Sequence, residues 1–307
     1  MLLLTGATGL VGSALLRRLV AEGEPVRCLV RNPRRLGPQR VRVQIALGDL
    51  TDPPSFRNAM RGVDTVVHLA ASTRDQPHGS IEELAAIATW RMVEAARRAG
   101  VRHFVFFSAL GASTHHRARL FRAKALAEQA VADADIRSTV IAPSLVYAPG
   151  DHWLTLLERL SLLPVMPVSG NGRAVCQPIW AEDVADCVIA ALNGGKEHGT
   201  PAEPEGNGSR DLLDRRYELA GPETLTYDDI IRTALRSLHR ERALAHIPTP
   251  LVSRVLRLLD KVAGERTPAT WDEAELLEAN MVSRRGAADA EAFGVRPQSM
   301  SAVLGVG

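Results

Sequence analysis

The sequence predicts a doubly wound parallel α/β sheet with a small C-terminal α/β lobe, and three observations carry that expectation. Strand-like and helix-like segments alternate through the first half of the chain, as parallel βαβ units with right-handed crossovers require. A turn marked by Gly6, Gly9 and Gly12 separates the first strand from the first helix. With 307 residues and 46% hydrophobic content, the chain can also bury a full core.

The expected strands cover residues 2–5, 26–30, 43–47, 65–69, 103–108 and 138–142, each a short apolar run rich in Val, Leu, Phe or Ile. The expected helices lie between them at 12–21, 54–60, 81–99 and 119–132, where apolar residues recur at helical spacing. After Pro143 the alternation loosens, and Pro149, Pro164, Pro167 and Pro178 punctuate shorter segments. The division expected is therefore a dinucleotide-binding core over 1–143 and a substrate or partner lobe over 144–307, some of whose segments return to the core. The stretch 196–216 is polar and rich in Gly, Pro, Glu and Arg, which predicts a surface loop.

In the opening MLLLTGATGLVGSALLRRLV each glycine has a physical role. One allows the tight turn, one lets the backbone approach a pyrophosphate, and one lets the helix pack closely on the strand. The helix that follows presents unpaired N–H groups and the positive end of its dipole. Gly6, Thr8, Gly9, Leu10, Val11 and Gly12 thus form a candidate dinucleotide cradle.

The bulk composition excludes several other classes. A formal net charge of +2 does not call for nucleic acid or an anionic membrane as the main partner. Cys28, Cys176 and Cys187 are too few and too scattered for a disulfide framework, and no His/Cys cluster has zinc spacing, so no metal is expected. No leader precedes the first strand and no long uncharged run occurs, which predicts a soluble cytoplasmic protein.

Several further segments carry a family resemblance. TGATGLVG, VVHLAA, VEAARRAGVRHFVFFSALGA, FRAKALAEQAV, IAPSLVYAPGD and QPIWAEDVAD resemble the extended and atypical short-chain dehydrogenase/reductases, a superfamily with the NAD(P)-binding Rossmann fold. YELAGPETLTYDDII and HIPTPLVSRVLRLLDKVAG resemble the subgroup of the nucleotide-binding accessory subunit of respiratory complex I and of NmrA-like NAD(P)H-binding proteins. The resemblance assigns Asp49 and Leu50 to the adenine edge, and Leu69, Ala70 and Ala71 to the dinucleotide wall. For Asp49 a turn role competes.

Cofactor choice is read at the end of the second strand, where an NAD-binding site holds a carboxylate for the ribose 2′-OH. Here Arg31 stands in that place, and a guanidinium suits a 2′-phosphate instead. NADP(H) is therefore expected over NAD(H). Arg34 and Arg35 either add positive potential or are solvated loop charges.

Catalytic members of the superfamily carry a Tyr four residues before a Lys. The match to FRAKALAE places the Lys at Lys124, and the Tyr position holds Leu120. The usual proton relay therefore cannot run, although Ser108 is retained and Lys124 either grips the nicotinamide ribose or is an ordinary helical lysine. His115 and His116, in the loop before this helix, are either an alternative acid or solvent-facing. Tyr147 does not fill the gap by sequence, since an aromatic there packs beneath the cofactor end of the cleft.

In the C-terminal lobe, Glu182 and Asp183 fit the first turn of a helix. Residues 251–262 form an amphipathic stretch with Arg254, Arg257 and Lys261, which packs on its own domain or touches a membrane surface or partner. Three functions follow from these residues. The first is an NADP(H)-dependent reductase of a quinone-like or conjugated acceptor that needs no tyrosine acid. The second is a non-catalytic NAD(P)H-binding structural or redox-sensing protein, and the third a nucleotide-sugar epimerase or dehydratase, which the loss of the tyrosine disfavours. The partner is accordingly a small-molecule substrate or another protein.

Overall fold

The computed structural model of the protein describes residues 1–197, 215–263 and 270–306. Its centre is a seven-stranded parallel sheet. Six strands occur in the first half of the chain: β1 (Leu2–Thr5), β2 (Val26–Val30), β3 (Gln44–Leu47), β4 (Thr65–His68), β5 (His103–Phe107) and β6 (Arg137–Pro143). The seventh, Arg215–Leu219, lies beside β6, and the spatial order from that edge is seventh, β6, β5, β4, β1, β2, β3. The order reverses between β1 and β4, and that switch point opens a crevice at the carboxyl ends of the strands.

The central strands are buried on both faces because helices cover both. On one face lie α1 (Leu10–Ala21) and α6 (Ala181–Glu197), where Leu15, Leu16 and Leu19 meet Val184, Cys187 and Val188 over the sheet. Arg18 ties the two helices together by ion pairs to Glu182 and Asp186. Asp183, in the first turn of α6, accepts a hydrogen bond from the Gln298 amide at 2.9 Å. The other face carries α2 (Pro53–Arg57), α3 (Ala88–Arg98) and α4 (Arg119–Ala132), with Phe56, Met92, Phe104 and Phe106 at its centre.

The structure departs from the sequence expectation at three places. The helix expected over 81–99 is interrupted by a π-helical turn at Glu83–Ile87, where the Ala88 amide bonds back to the Glu83 carbonyl. The helix expected over 54–60 changes to a 3₁₀ turn at Asn58–Met60. Of the loop expected at 196–216, residues 198–214 lie outside the described residues, and Arg215 and Arg216 belong instead to the seventh strand. As the edge of the sheet among the described residues, that strand needs few apolar residues: Tyr217 and Leu219 go inward while Arg216 pairs with Glu128 and Glu218.

The smaller lobe pairs Val165–Ser169 with Ala243–Ile247 and adds α5 (His152–Leu160), α7 (Tyr227–Ser237), α8 (Thr249–Ala263) and α9 (Trp271–Leu276). Helix α8 lies along α9, with Arg257 4.4 Å above the Trp271 ring, and leaves Leu251 and Val255 exposed. The three cysteines are free and buried, and burial pushes the Cys28 thiol up to about 12. No helix among the described residues is long and apolar enough to cross a membrane, and no group of His, Cys, Asp and Glu among them has the arrangement of a metal site.

Candidate functional site

A cavity of about 940 Å³ opens at the switch point. Its floor is the β1–α1 turn, where the Gly9 amide donates to the Gly6 carbonyl at 3.0 Å. Gly6 has φ +74°, and a Cβ there would lie 2.7 Å from the Ala70 nitrogen. At Gly12 a Cβ would lie 2.0 Å from the Gly6 carbonyl oxygen. Only glycine allows this approach of the helix to the turn. Gly9 is the N-cap of α1, with neither a capping side chain nor an acidic residue in the first turn, so the helix N-terminus faces the cavity without an internal anion. That arrangement fits a dinucleotide pyrophosphate.

The structure sorts the candidate residues into two groups. Gly6, Thr8, Gly9, Arg31, Asp49, Leu50, Leu69, Ala70 and Ala71 all line the cavity. Leu10, Val11 and Gly12 stand just behind it in the first turn of α1. Arg35 is also on the wall, whereas Arg34 is not. Asp49 makes the turn contact foreseen for it: one carboxylate oxygen accepts the Thr51 amide and hydroxyl, each at 2.9 Å, while the other lies 4.0 Å from Arg31.

Ser108, Leu120 and Lys124 do not line this cavity. The Ser108 hydroxyl donates to Glu128, whose other oxygen accepts from Arg216 at 3.1 Å. The buried Lys124 amine donates to the Phe107 carbonyl and lies 5.0 Å from the centre of the Phe106 ring. Leu120 packs with Ile81, Ala85 and Ala123. His116 is tied down as well, since its ring accepts the Ala118 amide at 3.0 Å and lies tilted against Phe121 with the ring centres 4.5 Å apart, while Tyr147 is buried among Cys176, Ile230 and Met300 in the smaller lobe.

Burial pulls the Lys124 amine down to about 8 from its ordinary 10.5, with the Glu128 charge opposing. A folded-state value below the unfolded one means that the native protein sheds this proton first, so stability rises as the pH climbs from about 8 towards 10.5. The Lys124→Met variant lacks that rise. Urea unfolding should show it more stable than the parent at pH 7 by roughly 1–3 kcal/mol, with the gap closing as pH rises. A constant gap would mean that the amine is not desolvated.

Two features of the wall are not visible in the sequence. Gln76 and Gly79 exchange backbone hydrogen bonds of 2.9 and 3.1 Å, and the resulting turn brings Gln76, Pro77 and His78 onto the rim. Beneath the wall runs a buried hydrogen-bond chain from the Ala70 amide through Thr5, His68 and Thr89 to the Ala85 carbonyl. Because Thr89 donates its one hydroxyl proton to the Ala85 carbonyl, it accepts from Nε2 of His68, so the imidazole proton sits on Nε2 and Nδ1 accepts from the Thr5 hydroxyl. Burial lowers the imidazole to about 3, so it stays neutral.

Outside the cavity lining, Arg119 reaches Asp75 at 3.0 Å, Glu82 at 2.6 Å and Asp272 at 3.5 Å, and Arg74 reaches Glu273 at 3.0 Å. These contacts hold α9 and the 72–76 loop together, and burial raises the Asp272 carboxyl to about 6.

A crevice at the topological switch point, a three-glycine turn and an uncapped helix N-terminus together define a dinucleotide-binding α/β protein. A family model described as NAD(P)H-binding matches residues 6–195, and the chain belongs to this NAD(P)H-binding family. It is 26% identical over 265 residues to the mitochondrial NADH dehydrogenase [ubiquinone] 1 alpha subcomplex subunit 9 of Arabidopsis thaliana, a match that takes in 80% of this chain and 60% of that subunit's length. It is 30% identical over 227 residues to the (4-alkanoyl-5-oxo-2,5-dihydrofuran-3-yl)methyl phosphate reductase of Streptomyces griseus, covering 74% of this chain and 70% of that one. The fold is shared with the NADPH-dependent quinone oxidoreductase QOR2 of Escherichia coli, at a TM-score of 0.71, 16% identity and 99% coverage of both chains.

Proposed function

We propose that the protein is an NADPH-dependent reductase of the atypical short-chain dehydrogenase type, acting on a quinone-like or conjugated small-molecule acceptor in the cytoplasm. The observation that carries this reading is Leu120, which packs against Ile81, Ala85 and Ala123 where a catalytic member of the superfamily holds its acid. A leucine cannot protonate an alkoxide. An acceptor whose reduced anion is delocalised can instead take its proton from water, and so needs no fixed acid.

Bound in the cavity, the nicotinamide cofactor would supply a hydride, the acceptor being reduced as the cofactor is oxidised. The uncapped amides at the start of α1 would hold the pyrophosphate, and Arg31 with Arg35 would hold a 2′-phosphate. The named activities of the Streptomyces reductase and the Escherichia coli quinone oxidoreductase support an acceptor of this kind.

A second reading, a non-catalytic NAD(P)H-binding protein, is favoured by the engagement of Ser108 with Glu128 and of Lys124 with the Phe107 carbonyl. Single-turnover oxidation of bound NADPH separates the two. Quinones and enones are expected to oxidise it while simple ketones do not. No oxidation by any acceptor would favour the second reading, and ketone reduction dependent on Lys124 would show that another acid serves.

A further inference from the structure

The crossover from β2 to β3 is unlike the others in the sheet. It holds Pro33, Gly37 and Pro38, and Gly37 has φ +59°, so residues 33–41 form kinked 3₁₀ turns in place of a full helix. Leu36 alone of this stretch is buried. The end of the sheet is consequently bare: Val41 is 80% exposed, Ile45 40% and Leu47 65%. Ile45 and Leu47 are two residues apart and share a face.

β3 is also an edge. It pairs with β2 on one side and, among the described residues, with no strand on the other. Natural edges are blunted by shortness, lysine, proline or a bulge. Gln44–Leu47 is short, at four residues, but holds no lysine or proline and keeps an unbroken register with β2.

Charge indicates the chemistry of an occupant. Between Pro25 and Gly48 stand Arg27, Arg31, Arg34, Arg35, Arg40 and Arg42, with no Asp or Glu. Arg27 is held by Gln44 and the Ala59 and Arg61 carbonyls, while Arg31 and Arg35 face the cavity. That leaves exposed Arg34, Arg40 and Arg42, none with a carboxylate partner among the described residues; Arg42 donates only to the Val20 carbonyl at 3.3 Å. An apolar edge rimmed by unpaired guanidiniums fits an acidic strand, and a second copy of the chain would bring like charge to it.

We propose that β3 docks an acidic, extended segment of a partner protein as an eighth strand of the sheet. Its backbone would pair with the free edge, its apolar side chains would cover Ile45 and Leu47, and its carboxylates would meet Arg34, Arg40 and Arg42.

The test uses the full chain and a labelled peptide of alternating valine and glutamate, followed by fluorescence anisotropy and by amide exchange. The expected result is binding that slows exchange within 44–47 and weakens about tenfold in Leu47→Ser and in Arg34→Ser/Arg40→Ser. A valine–lysine peptide, and a valine–glutamate peptide N-methylated at alternate residues, should not bind. Failure of the first peptide to bind, equal binding of either control, or equal displacement by a single-stranded oligonucleotide would overturn the proposal. So would sedimentation as a dimer that Leu47→Ser dissociates, which would assign the edge to a second copy.

Discussion

Replacing Gly9 with valine is expected to abolish dinucleotide binding and leave the α/β fold intact. Gly9 has φ −83° and ψ 178°, extended backbone that any residue adopts, and an added Cβ would meet the Gly6 oxygen at 3.4 Å, an ordinary contact. The protein itself therefore tolerates a side chain there. The cavity does not, because the added methyls would occupy the approach to the first amides of α1, and a loss of about a hundredfold or more in affinity follows. Gly12→Ala should behave in the opposite way. Its Cβ would lie 2.0 Å from a backbone oxygen, so α1 must move off the turn at a cost of roughly 3 kcal/mol or more in stability. Calorimetry and denaturant melts on the pair distinguish the two roles. Parental affinity in Gly9→Val would place the pyrophosphate elsewhere.

NADPH should bind at least about tenfold more tightly than NADH, since a charge-assisted contact from Arg31 to the 2′-phosphate is worth roughly 1.5–3 kcal/mol. Arg31→Glu should reverse the order. A carboxylate at the end of β2 can accept from a ribose 2′-OH, and with Asp49 on the same wall it would repel a phosphate. Equal dissociation constants for the two cofactors in the parent protein would remove Arg31 from the recognition of the 2′ position. If preference survives in Arg31→Glu, Arg35 is the residue to change next, since it lines the same wall.

Local sequence was enough where function depends on backbone geometry. The spacing of Gly6, Gly9 and Gly12 placed the turn, and the position of Arg31 after an apolar strand put it at the crevice, because both follow from the periodicity of one βα unit. The tip formed by Gln76, Pro77 and His78 was not legible. Nothing in its composition says that a turn after β4 will fold back onto the wall of the cavity. Ser108 and Lys124 show a second limit. Spacing predicts which face of α4 a side chain occupies, but whether the amine meets a ligand or the Phe107 carbonyl depends on the tilt of the helix across the sheet. The seventh strand was hidden for a third reason, since two of its five residues are arginines, and Glu128 and Glu218, the partners that neutralise Arg216, are defined only by tertiary contacts or by the strand itself.

The π turn at Glu83–Ile87 inserts one residue more than α-helical spacing needs, and it separates two surfaces that a single helix has to serve. Ahead of and within it, Leu84 faces the cavity and Ile81 faces Leu120; beyond it, Met92, Val93 and Ala96 face the sheet. A chain shortened by one residue there would wind as a continuous α-helix, and everything before the deletion would rotate by about 100° relative to the rest. Leu84 would swing off the cavity wall. Relatives that differ by a single gap at this place should therefore be compared as proteins with differently shaped pockets, even where every residue around the glycine turn is the same.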